Sequence, residues 1–486
     1  MKSIIISSVL LLLSYGINAQ SGESIVIGKK EVFYSAILKE NRKIWIYTPA
    51  VTSQTTNPDK RYPVMYLLDG DAHFYSTVGI IQQLSQANGN GVLPEMIIVA
   101  IENSNRMRDL VPTTNTNPFV NFLSSELIPY IDKNYNTAPY KLLMGHSLGG
   151  LLAIDILTKS PDLFNAFIAI DPSMWYANEK FLNNTISQLP KQNMNGRRLF
   201  IGTANTMPKG MTLTQLETDK SYETQHIRSI FKLDNFLKAN NNGLRYSQQY
   251  YPAERHNTVP LLTEYDGLRF IFDYYFFDAS EKDFIDPHST IASQLQKHYA
   301  TVTKEMGYKN AAPEAFIKYL AYDALSKKQY DKSKELFELN IDWYPESDNV
   351  YDSYADYYLA KKDTGSAIIN YKKALQVKDN AGTQAKLNAL IKQGTSSVAI
   401  AELQKYEGVY TLVDFQLDIV LKIKNGSLWA IVPGQPDDEL RMIAENVFTI
   451  KGKQGYTSTF QMENGTAKGF ISVQPNGTFK ATFKSK

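Results

Sequence analysis

The chain has 486 residues, of which 43% are hydrophobic and 21% charged, with a formal net charge of +2. So even a balance offers no basic face for nucleic acid or an anionic membrane surface, and the apolar content is that of an ordinary folded protein of two or three domains. No cysteine is present, which excludes disulfides and a lipidated cysteine and leaves core burial to hold the fold.

In chain order, Lys2, the apolar run Ile4 to Leu13 and Ile17-Asn18-Ala19 have the layout of a secretory signal over residues 1–19, with the mature chain starting near Gln20. The run is well short of the roughly 20 residues that span a bilayer, so the expectation is an exported protein, periplasmic or secreted, with no membrane span. Alternation through Phe33-Tyr34-Ser35 and Ile44-Trp45-Ile46-Tyr47 predicts an opening antiparallel pair. Continuous apolar runs follow at 62–68, 96–101, 141–144, 166–170 and 198–202, with a further strand at 246–251. Amphipathic helical patterns lie between them, the clearest over 119–135. This alternation predicts a mostly parallel sheet covered on both faces, with the ligand site at the carboxyl ends of its strands.

The third of those runs leads into Gly145-His146-Ser147-Leu148-Gly149-Gly150 and then an apolar helical segment. A strand, G-x-S-x-G and a helix is the context in which the turn lifts a serine hydroxyl above the sheet, so Ser147 is the candidate nucleophile. A serine hydroxyl needs a base, and of the six histidines His256 lies in the loop after the last strand, where a base following the serine in chain order belongs. His226 falls inside a helical pattern and reads as a structural or surface residue, whereas His73 is placed to line the site. The backbone N–H groups of Leu148 and Asp71 are the candidate oxyanion donors. The acid that orients the histidine is sought after the 198–202 strand. Asp219, in a loop just before a helix, is the first choice; Glu217, Glu223 and Asp171 are alternatives, as is a Ser-His dyad without an acid. Trp175 and Tyr176 are candidates for a wall of the acyl or aryl pocket. No metal-ligand spacing or phosphate-cradling glycine loop occurs, and the chemistry calls for no cofactor.

Between about 291 and 391 the pattern turns helical and repeats with a spacing of 34: Ala321 with Ala355, Leu325 with Leu359, Lys328 with Lys362, Phe337 with Tyr371. This spacing resembles the tetratricopeptide repeat and offers a surface for a protein partner. From 400 onward, short alternating runs separated by Asn425-Gly426, Asn464-Gly465 and Asn476-Gly477 predict hairpins of a small antiparallel sheet or barrel. The expected domains are 24–280, 281–395 and 400–486.

Taken together, Tyr66-Leu67-Leu68-Asp69-Gly70, Arg108-Asp109-Leu110-Val111-Pro112, Glu126-Leu127-Ile128-Pro129-Tyr130, Gly145-His146-Ser147-Leu148-Gly149-Gly150 and His256-Asn257-Thr258-Val259-Pro260 resemble the esterase D-like family of α/β-hydrolases, which includes siderophore, feruloyl and other carbohydrate esterases. The resemblance implies an α/β-hydrolase fold over roughly residues 25–278. It also implies hydrolysis of a small-molecule or glycan ester through an acyl-enzyme on Ser147, with His256 as base and the Asp71 and Leu148 amides as oxyanion donors. A binding scaffold built on the same fold, and acyl transfer to an acceptor other than water, are the alternative readings.

Overall fold

The computed structural model describes residues 24–49, 60–86, 91–113, 117–393 and 400–486. The expected signal segment, 1–19, lies outside the described residues. The chain divides into two compact units, the first ending at Asp273 and the second running from Tyr274 to Lys486.

The first unit is built on an eight-stranded sheet: β1 (Lys29–Ser35), β2 (Glu40–Tyr47), β3 (Tyr62–Leu67), β4 (Ile97–Ile101), β5 (Thr137–His146), β6 (Ala166–Ile170), β7 (Arg198–Ala204) and β8 (Arg245–Tyr251). Their spatial order is β1-β2-β4-β3-β5-β6-β7-β8. The first two strands form the expected antiparallel pair, β2 runs antiparallel to β4, and every later neighbour is parallel. β4 and β6 are buried along their whole length, because helices cover both faces of a parallel sheet. Register decides where the chemistry sits. His146 pairs with Ile170, Ile170 with Gly202, and Gly202 with Gln249, so the chain leaves β5, β6, β7 and β8 at nearly one level.

The helix expected over 119–135 is present, but its middle turn, Leu123–Leu127, is a π-helix between Pro118–Phe122 and Ile128–Asn134. Pro129 has no N–H to donate to the preceding turn, and the ladder widens just ahead of it.

In the second unit, the hairpin Glu314–Ser326 with Tyr330–Trp343 is followed by Asp348–Ala360 with Thr364–Val377, each helix starting 34 residues after its counterpart. The turns repeat as well. Lys328 and Lys362 both adopt a left-handed φ, 58° and 61°, and both donate to the residue three back, Leu325 and Leu359, at 2.9 Å. Lys332, 4% exposed, spans to the carbonyls that end the helix Glu281–Ile285, donating to those of Asp283 (2.8 Å) and Asp286 (3.0 Å).

The eight strands from β9 (Gly408–Leu412) to β16 (Gly477–Ser485) close into an antiparallel barrel, β16 pairing back onto β9. Asn425-Gly426 and Asn464-Gly465 have positive φ at both positions, as two-residue hairpin turns require. The interior is filled by Tyr406, Tyr410, Phe448, Phe460 and Phe470, whose rings contact one another at 4.8–6.0 Å. Helices and barrel share apolar packing: Ile443 is buried in one cluster with Ala355, Ile368, Tyr371 and Leu387, and Val447 packs against it.

Candidate active site

Three non-glycine residues that immediately follow, or nearly follow, sheet strands have left-handed backbone: Asp69 after β3 (φ 52°), Ser147 after β5 (59°) and Asp171 after β6 (41°). Such positions cost about 1–3 kcal/mol each and persist only where the surroundings hold them. At Ser147 the surroundings are glycine. A Cβ on Gly145 would come within 2.5 Å of the Gly149 carbonyl carbon, and one on Gly150 within 3.1 Å of Pro172, so only a chain lacking these carbons can turn this sharply from β5 into the helix Leu148–Lys159. The Ser147 N–H donates to the Ile170 carbonyl (2.9 Å), and the Ser147 carbonyl accepts from Ser173 N–H (3.0 Å), which binds the turn to the loop after β6. On the other side, Arg106 grips Asp69 through two hydrogen bonds (2.7 and 3.0 Å) and donates to the His146 carbonyl (3.3 Å).

His256 enters from the loop after β8. Its Nε2 lies 3.1 Å from Ser147 Oγ, and its Nδ1 lies 2.6 Å from Asp171 Oδ2. Since a carboxylate only accepts, Nδ1 carries the proton and Nε2 is left to accept from the serine. Asp171 is fully buried. Burial alone would raise its carboxyl, but His226, His256 and the Ala204 N–H hold it down to about 2, so it is a carboxylate at neutral pH. Ser173 Oγ stands 3.0 Å from Ser147 Oγ and is able to donate to it while Ser147 donates to His256.

The carboxylate beside His256 is thus that of Asp171, named above as an alternative, and not that of Asp219, the first choice. Asp219 turns its carboxylate onto its own loop, accepting from the Ser221 N–H (3.0 Å), the Ser221 hydroxyl (2.7 Å) and the Thr224 hydroxyl. Glu217 is exposed, and Glu223 lines the cleft without reaching His256 Nδ1, which Asp171 occupies. Because β6 and β7 are in register, Asp171 leaves the sheet beside Ala204 and accepts its N–H at 2.9 Å, so the carboxylate serves from one strand nearer the serine. This also sets aside a dyad without an acid as a description of the geometry.

His73 does not line the cleft. The helix Gly70–Gln86 turns it inward, where it is 8% exposed, 3.2 Å from the buried Glu264 and edge-on to His146 at 5.6 Å. Tyr176 is packed on the core and stacked on Phe181, whereas Trp175 does face the cleft. His226, read as structural, turns out to sit at the site with Nε2 2.9 Å from Asp171 Oδ2. The one available signal was its distance of seven residues from Asp219, in a stretch already searched for the acid. His146 donates from Nε2 to the His256 carbonyl (2.8 Å), and burial, with His256 and His73 nearby, pushes it down to about 4. It is neutral at pH 7, and its hydrogen bond supports the loop that carries His256.

Leu148 and Asp71 both lie in the first turn of a helix, whose N–H groups have no intrahelical acceptor. The open cleft over Ser147 has a volume of about 490 Å³ and is walled by Trp175, Tyr222, Gln225 and His226. One ligand atom from each of Asp171, His226 and His256 lies within 4.8 Å of the others, a spacing that a metal could bridge. All three are committed to hydrogen bonds within the set, which is the arrangement of a charge-sharing network.

A mixed sheet in this strand order, with the serine on a strained strand-to-helix turn after β5 and a histidine after β8, defines an α/β-hydrolase. Residues 35–256 match the Esterase family model, described as "Putative esterase". The chain is 27% identical over 194 residues to the ferri-bacillibactin esterase BesA of Bacillus subtilis, a match covering 35% of this chain and 66% of that protein. It is 29% identical over 136 residues to the siderophore triacetylfusarinine C esterase of Aspergillus fumigatus, covering 24% and 45%. The chain thus spans between under half and two-thirds of the length of these curated relatives. Among solved structures, an IroE-like serine hydrolase from Shewanella oneidensis is 28% identical with a TM-score of 0.53, covering 65% of this chain and 99% of that one. No helix among the described residues is long and apolar enough to cross a membrane.

Proposed function

We propose that this protein is an exported serine esterase that hydrolyses carboxylic esters through an acyl-enzyme on Ser147. The observation that carries the reading is the continuous line Asp171–His256–Ser147, at 2.6 and 3.1 Å, past the carboxyl ends of β6, β8 and β5 of one sheet. His256 Nε2 takes the hydroxyl proton as Ser147 Oγ attacks the ester carbonyl carbon. The carbonyl oxygen, now negative, is received by the Leu148 and Asp71 N–H groups, and Asp171 offsets the charge on the imidazolium. The tetrahedral adduct collapses, the alkoxide leaves with the proton from Nε2, and a water activated by the same nitrogen then releases the acid and frees Oγ.

Relatives named as siderophore esterases favour a siderophore ester over a carbohydrate acyl or aryl ester as substrate, and the aromatic walls Trp175 and Tyr222 suit a planar acyl group. Export rests on the sequence of residues 1–19 and is read out by N-terminal sequencing of protein recovered outside the cytoplasm.

The test of the site is hydrolysis of a short p-nitrophenyl ester and labelling by a serine-directed fluorophosphonate, with Ser147→Ala and His256→Ala beside the wild type. Turnover and labelling that vanish in Ser147→Ala are expected. An inert, unlabelled wild type overturns the reading in favour of a binding scaffold, and ester products in the presence of added alcohol would redirect it to acyl transfer.

A further inference from the structure

The Asp171 carboxylate serves two imidazoles. Oδ1 accepts the Ala204 N–H (2.9 Å), while Oδ2 accepts from both His256 Nδ1 (2.6 Å) and His226 Nε2 (2.9 Å). The two rings stand perpendicular, at 88° with centroids 5.1 Å apart, so both N–H vectors converge on one oxygen without the rings stacking. A triad needs only one of these imidazoles. The second is held by construction: Asp219 gathers Ser221 and Thr224, Arg228 closes the same turn through the Ser221 carbonyl (2.6 Å) and the Thr224 hydroxyl (2.8 Å), and His226 follows at the start of the helix Gln225–Ala239.

Resting on the esterase reading, we infer that His226 is a positioning residue for the hydrolysis, which fixes the Asp171 carboxylate and divides its charge between two imidazoles while His256 is held in place. A fully buried carboxylate with a single imidazole and one amide would place nearly all its attraction on His256, stabilising the imidazolium and delaying the return of the base. With Oδ2 shared, the pull on His256 weakens while the carboxylate stays ionised and fixed. His226 also forms part of the wall of the cleft over Ser147.

The other titratable groups around the pair come from four directions. His146 at the end of β5 lies 4.6 Å from the His256 ring. His73 stands behind it, against Glu264 of the helix Val259–Ile271. Tyr222 and Glu223 lie on the turn before His226, and Arg255 sends its guanidinium away to the Asn205 carbonyl (2.9 Å).

The test compares His226→Leu, which removes the donor, with His226→Gln, whose amide N–H reaches about as far as Nε2, in the full-length chain with a short p-nitrophenyl ester over pH 5 to 9. Losing one hydrogen bond to the carboxylate is expected to move the acid limb of kcat/KM upward by about half a unit to one unit. In His226→Leu kcat should fall with little change in KM, and His226→Gln should restore both limb and rate. The downfield Nδ1 proton of His256 should move further downfield in His226→Leu in proton NMR, a readout that needs no turnover. If His226→Leu does not fold, His226→Asn, whose donor is too short, takes its place. A wild-type acid limb and an unmoved Nδ1 proton in the donor-less variant would make His226 a packing residue and overturn the inference. An inactive wild type whose Nδ1 proton still responds to His226 would instead sink the esterase reading and leave the shared carboxylate standing.

Discussion

Replacing Asp171 with Asn keeps the shape of the side chain and removes its charge, and the structure sets two magnitudes for the result. The folded protein holds the carboxyl at about 2 against an ordinary 3.8. That gap corresponds to about 2 kcal/mol in favour of the ionised form, with no discount for screening because the group is fully buried. The sign follows from the depression. The stabilisation is complete above the unfolded value near 4 and is lost as pH falls through about 2, so Asp171→Asn should cost about 2 kcal/mol at pH 7 and progressively less below pH 4. Catalytically, the amide N–H can hold His256 with Nε2 protonated, the tautomer that cannot accept from Ser147, and kcat should drop by about 10³–10⁴-fold. Urea unfolding at several pH values reads the first quantity and p-nitrophenyl ester hydrolysis the second. Asp219→Asn, which leaves the His256–Asp171 bond intact, should lose at least about a hundredfold less rate. If Asp171→Asn stays within an order of magnitude of wild type while Asp219→Asn collapses, the assignment of the acid is wrong.

Two further outcomes follow from the same region. In Gly145→Ala the new methyl meets the rigid backbone of Gly149, so a loss of about 3 kcal/mol or failure to accumulate folded protein is expected, read by thermal melting. His146→Gln keeps a donor for the His256 carbonyl but removes a group held near 4 in the fold and near 6.5 in the unfolded chain. The wild type should therefore lose about 3 kcal/mol of stability as pH falls from 6.5 to 4, and the variant should lack that component in denaturant titrations.

What could be read from the sequence was local. The strained serine turn is written in consecutive residues, Gly145 to Gly150, and the strands as unbroken apolar runs, so both appear in a single pass along the chain. The 34-residue repeat was legible down to its turn, where Lys328 and Lys362 share one backbone conformation. The choice among the candidate acids was not legible, because Asp171, only an alternative, and His256 are 85 residues apart and meet through the register of β6, β7 and β8. Chain order pointed to the segment after β7, and that segment does matter, but through His226 rather than a carboxylate. Helical periodicity assigned His226 to a surface or a core; it is blind to a residue whose helix begins at the cleft. His73 failed for the converse reason, since nearness in sequence to Asp71 says nothing about the side of the helix on which a side chain emerges.

The apolar cluster shared by the helical hairpins and the barrel has a mechanical corollary. Ile443 and Val447 interlock with Ala355, Ile368, Tyr371 and Leu387, and Lys372 adds a hydrogen bond to Thr457 (2.6 Å). A cut between 395 and 400 would strip both halves of a dry face, so they should melt as one cooperative block and resist expression as separate pieces. A ligand pulling on the barrel would then pull on the helices too, as on the far end of a stiff rod.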